Sequence, residues 1–248
     1  MKIENKDFWE KDDVIYSQDK TVAETANYEA YLYEKVKNYF VKNSIKVKNA
    51  KIFGCGTGRE INGILKLIEI EKILATDIAQ NMIKKAIENC NRWGFQDKVT
   101  LEVADAVTFT AQKNSFQLVT FMNCILTYVK DKKNRDTIFE TSYSILEPNG
   151  CIIGVVHNQV GTPQKTLYFM LRKLFKPFIK SEVGNRITGF NGYEFSGYYF
   201  SNKDLKNHLS DSGFKNIEVK SLSDFYKEEG IKYNRFKGYN NLLFFATK

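Results

Sequence analysis

The chain has 248 residues, 43% of them hydrophobic and 27% charged, with only 3 prolines; this excludes a disordered, collagen-like or proline-rich chain and allows one globular unit with a full core. Its start, MKIENKDFWEKDD, lacks an apolar signal core, and no stretch reaches the roughly 18 uninterrupted apolar residues of a membrane span, so a soluble, cytoplasmic protein is expected. A net charge of +8 permits attraction to nucleic acid, an anionic membrane surface or an acidic small substrate, and equally follows from a lysine-rich composition.

Residues 8–21 scatter aromatics among charges without a clean period and predict an irregular arm over a cleft. Over 25–42, Tyr28, Tyr31, Leu32, Lys35, Val36, Tyr39 and Phe40 recur at steps of three and four, the spacing of an amphipathic helix. Short apolar runs at 50–53, 72–76, 99–103, 116–121 and 151–156 then predict strands, separated by helices near 59–68, 79–93 and 130–146. This alternation is that of an open, largely parallel α/β sheet. Pro148-Asn149-Gly150 is expected to turn the last of these helices into a strand.

After His157 the alternation breaks. Residues 159–200 form a basic and aromatic insert, with Lys165, Arg172, Lys173, Lys176, Lys180 and Arg186 against one acid, Glu182. A helix is expected over 167–178, its apolar side covering the sheet edge or a substrate cleft. Ser201, with Asp204 three residues on, predicts a capping box opening a helix through Ser210. Residues 214–221 and 241–247 supply two more strands, with the acidic and aromatic stretch 224–237 between them. The expected division is an arm and helix over 1–45 and an α/β domain over 46–248 carrying the insert. Cys55, Cys90, Cys124 and Cys151 are widely spaced and predict free thiols; no metal site is expected.

Directly after the first strand comes Gly54-Cys55-Gly56-Thr57-Gly58. Glycines at alternate positions let a backbone turn sharply and approach a ligand closely, although a tight structural turn has the same composition. Asp77 ends the second apolar run, where a carboxylate can accept both hydroxyls of a ribose. The GxGxxG dinucleotide fingerprint and the GK[ST] ending of a phosphate loop are both missing, which disfavours NAD and ATP. Asp105 follows the third strand and can accept an adenine amine or cap a helix.

On these residues the chain resembles the class I S-adenosylmethionine-dependent methyltransferases, over 25–157 and again over 201–248. The resemblance rests on 53–58 as a methionine-binding glycine motif and on Asp77-Ile78-Ala79-Gln80-Asn81-Met82 as a ribose-binding stretch. It rests also on Asp105-Ala106 as an adenine-contacting pair and on Phe121-Met122-Asn123-Cys124 after the fourth strand. It implies a Rossmann-like seven-stranded sheet in the order 3-2-1-4-5-7-6, the last strand antiparallel, with helices on both faces. It further implies S-adenosyl-L-methionine held by Gly54, Cys55, Gly56, Gly58, Asp77, Ile78, Met82, Asp105, Ala106 and Asn123.

Methyl transfer from a sulfonium is an in-line displacement that needs alignment and exclusion of water, with a base only where the acceptor carries a proton to lose. His157, leaving the fifth strand, is the candidate base, though a loop carbonyl would also occupy it; Asn123 would border the methyl donor. His208, inside a helix, reads as structural. Asn123 is followed by Cys124 and not by a proline and an aromatic residue, which counts against amino methylation of nucleic-acid bases; Cys124 also lacks the Pro-Cys context of cytosine-C5 enzymes and reads as packing. Tyr16, Tyr28 and Tyr31 from the N-terminal segment, and Arg172, Tyr193 and Phe195 from the insert, are the candidate acceptor wall, or else core and insert packing.

The function expected is methyl transfer to oxygen or nitrogen of a small-molecule acceptor, anionic or aromatic, by a monomer or homodimer without stable membrane insertion. An RNA or protein acceptor on the basic insert, and a non-catalytic cofactor-binding protein, are the alternatives.

Overall fold

The computed structural model describes residues 3–190, 192–234 and 239–248. Three helices lead in: α1 (Asn5–Trp9), α2 (Asp12–Asp19) and α3 (Asn27–Lys42). The alternating part follows as β1 (Val47–Phe53), α4 (Arg59–Leu67), β2 (Ile70–Asp77), α5 (Gln80–Trp93), β3 (Val99–Val103), β4 (Phe116–Phe121), α6 (Lys132–Ile145) and β5 (Leu146–His157). The rest comprises α7 (Pro163–Leu174), a hairpin of β6 (Asn185–Phe190) and β7 (Tyr193–Tyr198), then α8 (Asn202–Asp211), β8 (Lys215–Ser221), α9 (Leu222–Glu228) and β9 (Asn241–Thr247).

Seven strands form one sheet in the order β3-β2-β1-β4-β5-β9-β8. The first five are parallel, and β9 runs antiparallel to both β5 and β8. The sheet is therefore the seven-stranded methyltransferase topology that the motifs imply. Every residue of β4 is buried, as a central strand covered on both faces requires. One face packs against Leu32, Val36 and Phe40 of α3, Ile61 and Ile64 of α4 and Phe225 of α9. The other packs against Ile138 and Phe139 of α6 and Leu205 and Leu209 of α8.

The carboxyl ends of β1, β2, β4 and β5 share one edge, and β1 and β4 are neighbours whose following chains leave to opposite faces. That is the crevice at which an open α/β sheet takes its ligand.

The structure corrects several local expectations. Residues 8–21 are not irregular: they fold into α1 and α2, and only Phe8 and Val14 of those helices are buried, which leaves too few apolar positions for a visible period. The helix expected over 130–146 stops at Ile145, and the β5 ladder begins at Leu146, runs through Pro148 and carries a register shift opposite Phe116 and Leu118. The box at Ser201 is half made. Ser201 Oγ accepts from the Asp204 amide at 3.1 Å, but the Asp204 carboxylate is engaged by the Tyr198 hydroxyl at 2.6 Å. The β6–β7 hairpin has no counterpart among the expected strands. Of the stretch 224–237, residues 224–228 are helical and residues 235–237 lie outside the described part. The four cysteines are free and buried.

Arg135 of α6 tethers the insert. Its fully buried guanidinium donates to the carbonyls of Val129 and Lys130 at 2.9 and 2.6 Å and to Glu182 at 2.7 Å, and lies 3.5 Å from the centre of the Tyr198 ring. Losing one hydrogen bond from a charged group costs about 1.5–3 kcal/mol. Arg135→Ala should therefore lower unfolding free energy by at least that amount, read as an earlier urea midpoint with unchanged slope; equal midpoints would show that the tether contributes nothing.

Candidate functional site

A cavity of about 660 Å³ opens at the carboxyl edge of the sheet. Its floor is the turn after β1. Gly54, Gly56 and Gly58 have φ of +67°, +54° and +95°, a region that favours glycine. Gly54 is also demanded by packing, because a Cβ there would lie 2.0 Å from Ile125 Cγ2, whereas a Cβ at Gly56 would project into open space. Gly58 caps α4 and backs onto Trp93 and Ala86, away from the cavity wall.

Asp77, at the tip of β2, holds this turn in place. Its carboxylate accepts from the Gly56 amide at 2.9 Å and from the Ala79 amide at 3.0 Å. Burial raises its pKa, against the lowering effect of those backbone donors. Each carboxylate oxygen keeps a lone pair for a ligand. Asn123, after β4, donates to the Gly54 carbonyl at 2.8 Å and so fixes the turn from the other side. Asp105 accepts from its own loop, at the Val107 amide, at 2.9 Å.

Of the residues singled out in the sequence, Gly54, Cys55, Gly56, Asp77, Ile78, Met82, Asp105, Ala106 and Asn123 line the cavity together with His157, Tyr28 and Phe195. Others stand apart. Tyr16 is exposed. Tyr31 packs on Phe225 at 5.1 Å, at the far side of α3. Arg172 is spent inside the insert, donating to the Val183 and Glu182 carbonyls and to Ser181. Tyr193 lies behind the wall against Phe8, ring centres 5.8 Å apart. Cys124 does border the cavity, but as a buried thiol pushed up to about 12 by burial. His208 is buried, and its Nδ1 meets Asp136 at 2.6 Å.

Four contributions escape a reading of motifs. Arg59, in the first turn of α4, lines the cavity and pairs with Glu29 of α3. Glu10 reaches from the end of α1 to accept from the Gln80 and Asn81 amides at 2.7 and 2.9 Å, which caps α5 with a negative charge. Asn5 donates to the Tyr128 carbonyl at 2.6 Å, and Phe8 and Trp9 close the cavity beside it. Lys51 is wholly buried in β1, its ammonium on Thr76 Oγ1 at 2.6 Å and between the Phe53 and Phe109 rings, with burial pushing its pKa down to about 7. Only the Arg59 position, next to the glycines, carries a sequence signal. Lys51 lies just before the glycines, but its burial is a tertiary fact, and Glu10 and Asn5 come from a segment far away in the chain.

The opposite end of the cavity is aromatic. His157 is surrounded by the rings of Tyr128, Tyr199 and Tyr239, at 6.2, 5.2 and 6.3 Å between centres. Its Nδ1 is buried and, among the described residues, has no hydrogen-bond partner. Burial and the nearby Lys165 ammonium push the imidazole pKa down from 6.5 to about 4. It is neutral at pH 7 and can accept a proton.

The unfolded chain binds a proton at His157 near the usual pKa, whereas the folded chain resists until about pH 4. Stability is therefore lost as pH falls through that window. His157→Gln should flatten the fall in urea midpoint between pH 6.5 and pH 4; an unaltered slope would show that the ring is already free to protonate.

Comparison with known proteins agrees with this fold. The family model described as a methyltransferase domain matches residues 52–150. The malonyl-(acyl-carrier protein) O-methyltransferase 2 of Ilyobacter polytropus is 28% identical over 192 residues, 77% of this chain; the match spans only 64% of that relative's length. A solved S-adenosylmethionine-dependent methyltransferase from Methanosarcina mazei superposes with a TM-score of 0.63 at 19% identity, over 84% of this chain and 96% of its own. The Haemonchus contortus phosphoethanolamine N-methyltransferase 2, solved with S-adenosyl-L-methionine, gives 0.67 at 17% identity over 99% of this chain and 60% of its own. At these identities the solved structures establish the shared fold.

Proposed function

We propose that this protein, whose residues 52–150 match a methyltransferase-domain family model, uses S-adenosylmethionine to move a methyl group to an oxygen or nitrogen of a small-molecule acceptor. The observation that carries the reading is one cavity joining two unlike ends: a glycine turn locked to a buried carboxylate, and a neutral histidine ringed by tyrosines.

The donor set fits S-adenosylmethionine. Asp77 would receive the ribose hydroxyls, Ile78, Met82, Asp105 and Ala106 would hold the adenine side, and the open face of Gly56 leaves room for the amino-acid part. Arg59 supplies the cation that a carboxylate on that part requires. When bound, the cofactor supplies an electrophilic methyl group on a sulfonium.

The chain's own residues would do the rest. Tyr128 and Tyr199 exclude water, and with Tyr239 they offer ring faces that attract a cation. His157, held neutral, is placed to take the proton that an acceptor hydroxyl sheds as its oxygen bonds the methyl carbon. Asn123, whose amide is occupied by the Gly54 carbonyl, acts by positioning the turn.

Calorimetric titration with S-adenosylmethionine and its demethylated product, against NAD and ATP, tests the cofactor. Selective binding is expected, and Asp77→Ala, which removes charge-assisted hydrogen bonds, should weaken it by about 10- to 150-fold. Unchanged affinity in the variant would sink the ribose assignment. Once an acceptor is in hand, His157→Gln should lower kcat by about 100- to 10,000-fold while cofactor affinity holds; an unchanged rate would remove the base.

A further inference from the structure

The insert helix α7 is built the wrong way round for a helix that covers a cleft. Phe169, 2% exposed, is its one buried residue. On the opposite side Leu167, Met170, Leu171 and Leu174 follow the i, i+3, i+4, i+7 spacing of a single ridge, and all four are exposed. The 3-10 turn that follows (Lys176–Phe178) prolongs the ridge with Phe175 and Phe178. Leu174 is 70% and Phe178 84% exposed. The apolar side expected to cover the sheet edge or cleft therefore faces outward. An outward apolar cluster of this size marks an interaction site.

The charge beside it is one-sided. From 163 to 181 the sequence has no acid, and Lys173, Lys176 and Lys180 are exposed along the ridge. The nearest acid, Glu182, is taken by Arg135. A partner must then be both apolar and anionic. A second copy does not qualify, because two such ridges face to face would place lysine against lysine. Nucleic acid offers phosphates but no apolar bed for six bare side chains. A folded protein would need a groove shaped to a convex ridge, whereas a bilayer accepts a ridge of any shape. Leucine and phenylalanine outward, with lysines that can reach headgroups, are the features of a helix lying in an interface.

We propose that the α7 ridge and the turn after it dock the protein reversibly on an anionic lipid bilayer surface. The helix lies flat with its apolar side among the acyl chains, and Lys173, Lys176 and Lys180 meet the phosphates. No helix among the described residues is long and apolar enough to cross a membrane. Because Phe169 packs on Tyr199, 5.4 Å between ring centres, and Tyr199 lines the cavity, docking would set the cavity close to the lipid.

The test is cosedimentation of the full chain with vesicles of phosphatidylcholine, with and without phosphatidylglycerol. Binding is expected only to the anionic vesicles and should weaken as salt rises. Each of Lys173→Gln and Lys176→Gln should reduce partitioning about fivefold. Leu174→Ser combined with Phe178→Ser should reduce it by more than about tenfold. Both residues are exposed, so circular dichroism and the urea midpoint should stay as in the parent chain. Three results would each overturn the proposal: equal binding to neutral vesicles, binding that survives the serine pair, or a dimer in sedimentation velocity that the serine pair dissolves. Retention on an acidic carrier protein with no vesicle binding would assign the ridge to a protein partner instead.

Discussion

A carboxylate taken out of water is costly unless donors replace the water, and Asp77 meets that condition with the backbone amides of Gly56 and Ala79. Those two amides belong to different elements, the turn after β1 and the turn before α5. One side chain therefore holds the glycine turn and the start of α5 in fixed relation, and both line the cavity. The turn has little freedom left, because Asn123 holds the Gly54 carbonyl and Ile125 fills the space a Cβ on Gly54 would need. Glycine geometry, strand order and ligand chemistry meet in that arrangement.

The N-terminal segment completes what the sheet begins. Glu10, just after α1, caps α5 and Asn5 of α1 binds the carbonyl of Tyr128, while Asp19 of α2 accepts from Asn89 of α5, so both short helices are bonded to the domain. Phe8 contacts Phe195 from the hairpin, ring centres 4.4 Å apart. Neither α1 nor α2 has enough turns to be stable alone in water. Their order comes from this docking, and a segment with those contacts removed would no longer roof the cavity.

How much was legible in the sequence follows from where the physics is local. The strand-glycine-helix junction at 50–60 and the carboxylate ending β2 are set by neighbours within a few residues, and the parallel order follows from the alternation. The hairpin β6–β7 was missed although Asn191-Gly192 is a two-residue turn signal in the sequence, because the flanking residues lack a distinctive apolar alternation. Tyr31 and Tyr28 share a helix face in the sequence, yet only Tyr28 reaches the cavity, because α9 claims Tyr31 through Phe225. Arg172 reads as a free cation, but the carbonyls of Glu182 and Val183 occupy it. For Tyr31 and Arg172 a tertiary neighbour decides, and no local pattern announces that neighbour.

The insert also reaches the chemistry. Lys165 lies in the first turn of α7, where the helix dipole already disfavours a positive charge, and burial together with Arg186 lowers its pKa to about 8. Its charge in turn adds to burial in lowering His157. An imidazole among three tyrosine rings would gain a cation–π attraction if it were protonated. Burial first and the lysine second oppose that gain, and the ring stays neutral. Lys165 thus couples the helix that carries the outward ridge to the protonation state of the group at the acceptor end. The placement of α7 therefore adds to the burial that keeps His157 neutral.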